Sequence, residues 1–206
     1  MNMPVESAGE NNLEKIIDFY SSSIVLKKMA RTGWVVRGVD SPEHVADHSH
    51  GLALLVMLAG DLINHNEKCE IVSVQRAVMM AVIHEIGEIG IGDWTPSMSR
   101  FIGVEKDVLE FRVISELTEG LGESRNRFIS LFDEFTRCES SEARLVKACD
   151  KLEMYLQALD YLKSGKRNLD DFIRFIDPES ELYSWNDTLT RLAWEIKSRL
   201  NFFLGK

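Results

Sequence analysis

The stretch VIHEIGEIGIGDWTPS, residues 82–97, sets one histidine and three acidic residues among isoleucines and glycines. An isolated charge taken out of water is costly unless it is paired, protonated or bound to a metal. A fold containing this segment must therefore lay it on a solvated surface or give His84, Glu85, Glu88 and Asp93 a shared partner.

The apolar periodicity on either side decides the fold class. Leu13, Ile16, Ile17, Tyr20 and Ile24 share one face of a helix expected over residues 11–30. RTGWVVRGVDSPEH then breaks the pattern and reads as a connecting loop. Ser41-Pro42 has the form of a helix start, serine as cap and proline in the first turn. The helix that follows, over residues 42–64, turns Leu52, Leu55, Ala59 and Leu62 inward. Another over residues 71–88 ends in the glycine-rich GEIGIGD.

Residues 104–120 and 125–137 also read as helices, and Ser140 or Ser141 caps a long one that ends at Gly165. A short helix around 169–176 stops before Pro178. The last is capped by Asn186 or Asp187 and carries Leu189, Leu192, Ala193, Ile196 and Leu200 on its inner face. Residues 1–10 lack any period and read as a frayed end. No β-type alternation recurs. The expectation is an all-α bundle of six to eight helices in one domain over residues 1–206, with its core at 11–165 and C-terminal helices at 166–204.

Composition narrows the partners. No run reaches the ~18 apolar residues of a membrane span, and MNMPVESAGENNLEK lacks the blocks of a signal peptide, so a cytoplasmic protein without a membrane partner is expected. Cys69, Cys138 and Cys149 are odd in number and show no CxxC spacing, which suggests neither a disulfide framework nor a thiolate zinc site. A net charge of −9 argues against binding a nucleic-acid polymer, whose interfaces need clustered Lys and Arg. A small anion remains possible where local cations or a metal outweigh the distant field.

Three helices aim ionisable groups inward. Ala77, Ala81, His84 and Glu88 fall in one stripe, with Glu85 at its edge. His44 and His48, four apart, share a stripe with Leu52, Leu55 and Ala59, whereas His50 projects sideways. Asp150 lies in line with Ala143, Val146, Met154 and Tyr161, and Glu153 to one side is a candidate structural partner. Singly, each has an ordinary reading: a core histidine bonded to a carbonyl, a solvated pair at a helix start, a buried salt bridge. Jointly, a divalent cation would neutralise the carboxylates and occupy the imidazole lone pairs. The mixed ligand set suits a transition metal with open positions better than a calcium cage or a closed zinc site.

RTGWVVRGV, PEHVADHSHGLA, IHEIGEIGIGDWTPS and EARLVKACDKLEMYLQALDY occur in this order, and here the chain resembles the HD-domain phosphohydrolases, in particular the YfbR-type 5'-deoxynucleotidases. The resemblance covers residues 28–165. It implies that His48, His84 and Asp150 bind a divalent transition metal (Mn²⁺, Co²⁺, Zn²⁺, Fe²⁺ or Ni²⁺), with Glu85 as fourth ligand. It also implies that Glu88 and Asp93 are the acidic catalytic pair and that Trp34 packs near the sugar. A nucleoside 5'-monophosphate substrate and a homodimer follow from the same resemblance.

Two positions depart from the family pattern. Glu85 stands where an aspartate is usual, and Gly33 stands where bacterial members carry the phosphate-binding arginine, leaving Arg31 or Arg37 to substitute. The expected chemistry is hydrolysis of a deoxynucleotide phosphomonoester. The alternatives are a nucleotide- or metal-binding module with impaired turnover, or a phosphohydrolase acting on another phosphorylated nucleotide.

Overall fold

Residues 141–163 carry apolar side chains on nearly every face, a pattern that requires burial on all sides. In the computed structural model, which describes residues 8–102, 105–170 and 174–205, they form the axis around which the other helices pack. In chain order the helices are α1 (Ala8–Ser23), α2 (Thr32–Val35), α3 (Val45–Glu67), α4 (Val74–Ile83), α5 (Glu88–Ile91) and α6 (Pro96–Ile102). There follow α7 (Lys106–Leu117), α8 (Glu123–Arg137), α9 (Ser141–Lys163), α10 (Glu181–Ser184) and α11 (Asp187–Leu204). Seven of these have ten residues or more, in keeping with the six to eight expected. No strand occurs among the described residues beyond an isolated bridge between Ala30 and His44.

Helices α3, α4, α8 and α11 all pack on α9, and α3 and α4 pack on each other. Leu52, Val56 and Ile63 of α3, Ala77, Met80 and Ala81 of α4, and Leu145, Val146 and Leu152 of α9 are fully buried between them. The α9 start follows from its cap: Ser140 Oγ accepts from the Ala143 amide at 3.1 Å and donates to Glu134 Oε1 at 2.6 Å. Asn186 caps α11 through the Thr188 amide, and Leu189, Ala193, Ile196 and Leu200 form its inner face.

Three elements differ from their sequence reading. Helix α3 begins at Val45 rather than at Pro42, with His44 as its cap in a reciprocal box with Asp47. The reason lies in the bridge: the Arg31 amide donates to Glu43 O and the Val45 amide to Met29 O, so His44 is held extended and the helix starts only after it. The helix expected over 71–88 ends at Ile83. The chain then runs on three-residue bonds, Ile86 N to Ile83 O and Glu88 N to Glu85 O, before α5 starts. The expected loop after residue 30 contains the short α2.

The shared apolar face of the first helix is open to solvent. Leu13, Ile16, Ile17 and Tyr20 are 56–65% exposed, while Phe19 packs edge-on against Phe128 of α8. Helix α1 stops at Ser23, and a 3₁₀ turn over Ile24–Lys27 leads on. Leu62 of α3, read as inward, is 49% exposed. Residues 1–7, 103–104 and 171–173 lie outside the described residues, so most of the expected frayed end and part of the expected helix at 169–176 fall there.

Because Ser140 ties the start of α9 both to its own first turn and to α8, Ser140→Ala should lower the unfolding free energy by about 1 kcal/mol. Urea denaturation reads this directly; an unshifted midpoint with unchanged slope would contradict the cap's contribution.

Candidate metal centre

His48 is fully buried on α3, His84 caps the end of α4, and Asp150 lies on α9. The packing of these three helices brings one ligand atom from each within 4.8 Å of the others. His48 Nε2 is 3.1 Å from Asp150 Oδ1, and the two imidazole centroids are 5.5 Å apart. Each ring is anchored through its other nitrogen. His84 Nδ1 pairs with Ala81 O at 2.8 Å, so it donates, and His48 Nδ1 pairs with Glu153 Oε2. Both Nε2 atoms are buried and make no hydrogen bond of acceptable geometry, despite the nearness of Asp150 to one of them.

Two lone-pair nitrogens turned inward with a carboxylate beside them form a set that a divalent cation fits. A buried unpaired acceptor is otherwise unfavourable, and outer anchors of this kind hold metal-ligating imidazoles in place. Glu85 Oε1 lies 3.4 Å from His84 Nε2 and 4.0 Å from His48 Nε2. Its carboxylate sits beside both rings, but it is not one of the three side chains whose ligand atoms all lie within 4.8 Å of one another; it groups instead with Glu88 and Glu110. Burial alone would raise the Glu85 carboxyl, but the neighbouring His84, Arg31 and Lys106 outweigh it and hold it well below its ordinary value. Asp150 behaves alike: Lys151, 2.8 Å from Oδ2, and His48 overcome the cost of burial and hold it low.

Glu88 is fully buried one turn beyond His84, although the helix that was to carry it there is interrupted. Burial, reinforced by the charge of Glu85, pushes its carboxyl up to about 10. Oε1 accepts from Lys106 Nζ at 2.6 Å, and Oε2 has no hydrogen-bond partner. Asp93 follows Gly92, whose φ of +83° is open to glycine and turns the chain out of α5. Asp93 could have capped the next turn. Instead it accepts from the Thr32 amide at 2.5 Å and from Arg31 Nη1 at 3.2 Å, joining the α5 exit to the loop before α2.

Arg31 and Arg37 were equivalent candidates in the sequence. Arg31 Nη1 reaches Glu85 Oε1 at 2.9 Å as well as Asp93, whereas Arg37 donates to Gly33 O in its own turn. Trp34 is only 2% exposed, stacked edge-on to Tyr161 and bonded through Nε1 to Glu43 Oε1. It is a core ring beneath the loop that carries Arg31, and its indole does not form an open platform. His44 pairs with Asp47, and His50 is exposed.

Lys106 and Glu110 of α7 join the site without any signal in the sequence. Lys106 Nζ lies 3.1 Å from Glu110 Oε1 and 3.9 Å from Glu85 Oε2 in addition to its bond with Glu88. Two surface depressions, one beside Lys15 and Phe19 and one beside Val78 and Phe128, are lined by none of these site residues.

A family model described as an HD domain matches residues 25–176. A 5'-deoxynucleotidase HDDC2 from Dictyostelium discoideum is 36% identical over 152 residues, covering 73% of this chain and 80% of that protein. A 5'-deoxynucleotidase HDDC2 from Homo sapiens is 33% identical over 150 residues, covering 71% and 69%. A crystal structure of a Pyrococcus horikoshii OT3 protein superposes with a TM-score of 0.73 at 33% identity, covering 91% of this chain and 99% of that one.

If the two orphaned nitrogens hold a cation, His84→Ala should abolish stoichiometric metal binding measured by elemental analysis after dialysis. Glu153→Ala, which frees the His48 ring to turn, should weaken it roughly 10- to 100-fold. Full retention of metal by His84→Ala would remove the assignment.

Proposed function

The chain belongs to the HD-domain family, and on that premise we propose that it is a metal-dependent phosphohydrolase that removes the phosphate of deoxynucleoside 5'-monophosphates. The observation that carries the reading is the pair of buried Nε2 atoms of His48 and His84, neither of them hydrogen-bonded, gathered with the carboxylate of Asp150. His48, His84, Asp150 and Glu85 would hold a divalent transition metal, of which Mn²⁺, Co²⁺, Zn²⁺, Fe²⁺ and Ni²⁺ all suit the mixed nitrogen and oxygen set. When bound, such an ion supplies polarisation of a phosphoryl oxygen and a lowered pKa for water.

The chain's own residues do the rest. Glu88 moves the proton: it enters with its carboxyl protonated and gives that proton to the leaving 5'-oxygen. Asp93 orients the attacking water, and its bonds from the Arg31 guanidinium and the Thr32 amide hold it rigid for that task. Arg31 offsets charge on the phosphoryl oxygens; its placement beside Glu85 and Asp93 favours it over Arg37. Trp34 contributes to sugar selection from below, by fixing the loop over residues 31–38 against Tyr161.

The wider assignments have separate support. One domain is favoured because α11 packs on both α9 and α3. The exposed Leu13, Ile16, Ile17 and Tyr20 of α1, with Leu54, Leu58 and Leu62 of α3, favour a homodimer that would cover apolar surface. Three unpaired cysteines suit the reducing cytoplasm. No helix among the described residues is long and apolar enough to cross a membrane, and the net charge of −9 disfavours a nucleic-acid polymer as partner.

Phosphate release should appear when the purified protein, loaded with Mn²⁺ or Co²⁺, meets a panel of deoxynucleoside and ribonucleoside monophosphates, with the deoxy series faster. Glu88→Gln should lower kcat by about 100-fold or more while keeping the metal. Tight nucleotide binding with no turnover would point instead to a binding module. Turnover confined to cyclic dinucleotides or triphosphates would point to a different phosphohydrolase.

A further inference from the structure

Helix α7 packs Glu110 and Val113 directly onto the glycines of the segment 84–91, which offer no side chain of their own at those contacts. A Cβ added at Gly87 would lie 2.4 Å from Glu110 Cβ and 2.8 Å from its Cα, and one added at Gly90 would lie 2.5 Å from Val113 Cγ2. The two glycines, three residues apart, thus form a seam against Glu110 and Val113, which are three apart on the facing helix. A larger residue at either glycine would push α7 away, so the seam sets how deeply the first turn of α7 reaches.

What it delivers is Lys106. Its ammonium sits among three carboxylates, Glu85, Glu88 and Glu110, whose oxygens lie within 4.8 Å of one another. Its shortest contact is to Oε1 of Glu88 at 2.6 Å, and Glu110, one helical turn on, braces it from the other side at 3.1 Å. With Oε1 taken, Oε2 is the only Glu88 oxygen left, and it is buried and without a partner.

We propose that Lys106, braced by Glu110, is a positioning residue that fixes the Glu88 carboxyl through Oε1 and reserves Oε2 for proton exchange with the substrate. The inference rests on the phosphohydrolase reading of Glu88. As the water oxygen bonds to phosphorus and the bond to the 5'-oxygen breaks, the proton passes from Oε2 to that oxygen; the phosphate formed carries the water's two protons and gives one back to Glu88 directly or through solvent, and Lys106 keeps its own proton throughout. A residue acting in this way governs the rate of the chemical step without touching the substrate, so its loss lowers kcat and leaves KM in place.

The test compares Lys106→Met, Lys106→Arg and Glu110→Gln in the full-length, metal-loaded protein. Lys106→Met should lower kcat by about tenfold or more, a share of the 10²–10⁴ that positioned proton transfer contributes, with KM within about twofold and metal content unchanged. Lys106→Arg should restore most of the loss, and Glu110→Gln should lower kcat more mildly at constant KM. A rise in KM at constant kcat would make Lys106 a phosphate contact and overturn the proposal. An unchanged kcat, or a second metal ion bound at the three carboxylates, would overturn it as well.

A readout that needs no turnover separates this from the proposed function. In a urea double-mutant cycle, Lys106→Met and Glu88→Gln should be strongly non-additive, because each removes the same contact. Additive effects reject the clamp whatever the activity. Non-additivity in a protein inactive on every nucleotide keeps the contact but rejects the reaction, and with it the clamp's catalytic role. Should Lys106→Met not fold, Glu110→Gln and Lys106→Arg carry the same kcat-against-KM comparison, and no change in either would reject the proposal.

Discussion

Taking His48, His84 and Asp150 out of water together is the step on which the rest of this structure depends. Each belongs to a different helix, and each would be unfavourable in an apolar core alone. Their burial is tolerable only when α3, the end of α4 and α9 meet in one mutual orientation, so the polar trio specifies the packing of the helices that enclose it. Details of the core serve that orientation. A Cβ at Gly51 would lie 2.7 Å from Glu153 Oε1, so the small residue on α3 admits the carboxylate that steers the His48 ring. The turn bonds after Ile83 rotate the chain so that His84 and Glu88 both remain inside although no single helix spans them.

The helical class and the inward stripes of α3, α9 and α11 were legible because burial leaves a 3.6-residue signature in any helix packed on one core. Ser140 and Asn186 were legible as caps because their side chains act within a few residues. What escaped depends on contacts distant in sequence. The start of α3 is set by the Met29–Arg31 backbone, and Ser41-Pro42 carries no trace of it. The apolar face of α1 has a clear period, but periodicity says only that a face seeks a partner; the described residues of this chain cover Phe19 and leave Leu13 and Ile17 open.

The same reasoning separates the candidate site into two parts. His48, His84 and Asp150 are conspicuous because imidazole or carboxylate interrupts an apolar stripe. Lys106 and Glu110 sit in a helix whose charges resemble an ordinary solvated surface, and their meaning comes only from the glycine seam that draws α7 inward. Gly87 and Gly90 read in the sequence as helix punctuation. In the fold they are the contact surface that lets a lysine 18 positions along the chain reach Glu88.

Glu85 shows why a departure from the family pattern need not isolate a residue. Its carboxylate touches Arg31 at 2.9 Å through Oε1, faces both imidazoles with the same oxygen, and lies 3.9 Å from Lys106 through Oε2. The longer side chain therefore spans the interval between the two imidazoles and the two cations. Under the proposed function a phosphate dianion would approach Glu85, Glu88, Asp93 and Asp150, and only local cations can make that approach favourable. The Arg31 bonds to Glu85 and Asp93 both use Nη1 of a guanidinium that has five donors. The carboxylates thus hold the arginine by one nitrogen, and under the proposed function the acidic excess that would repel the substrate would also preorganise the group proposed to receive it.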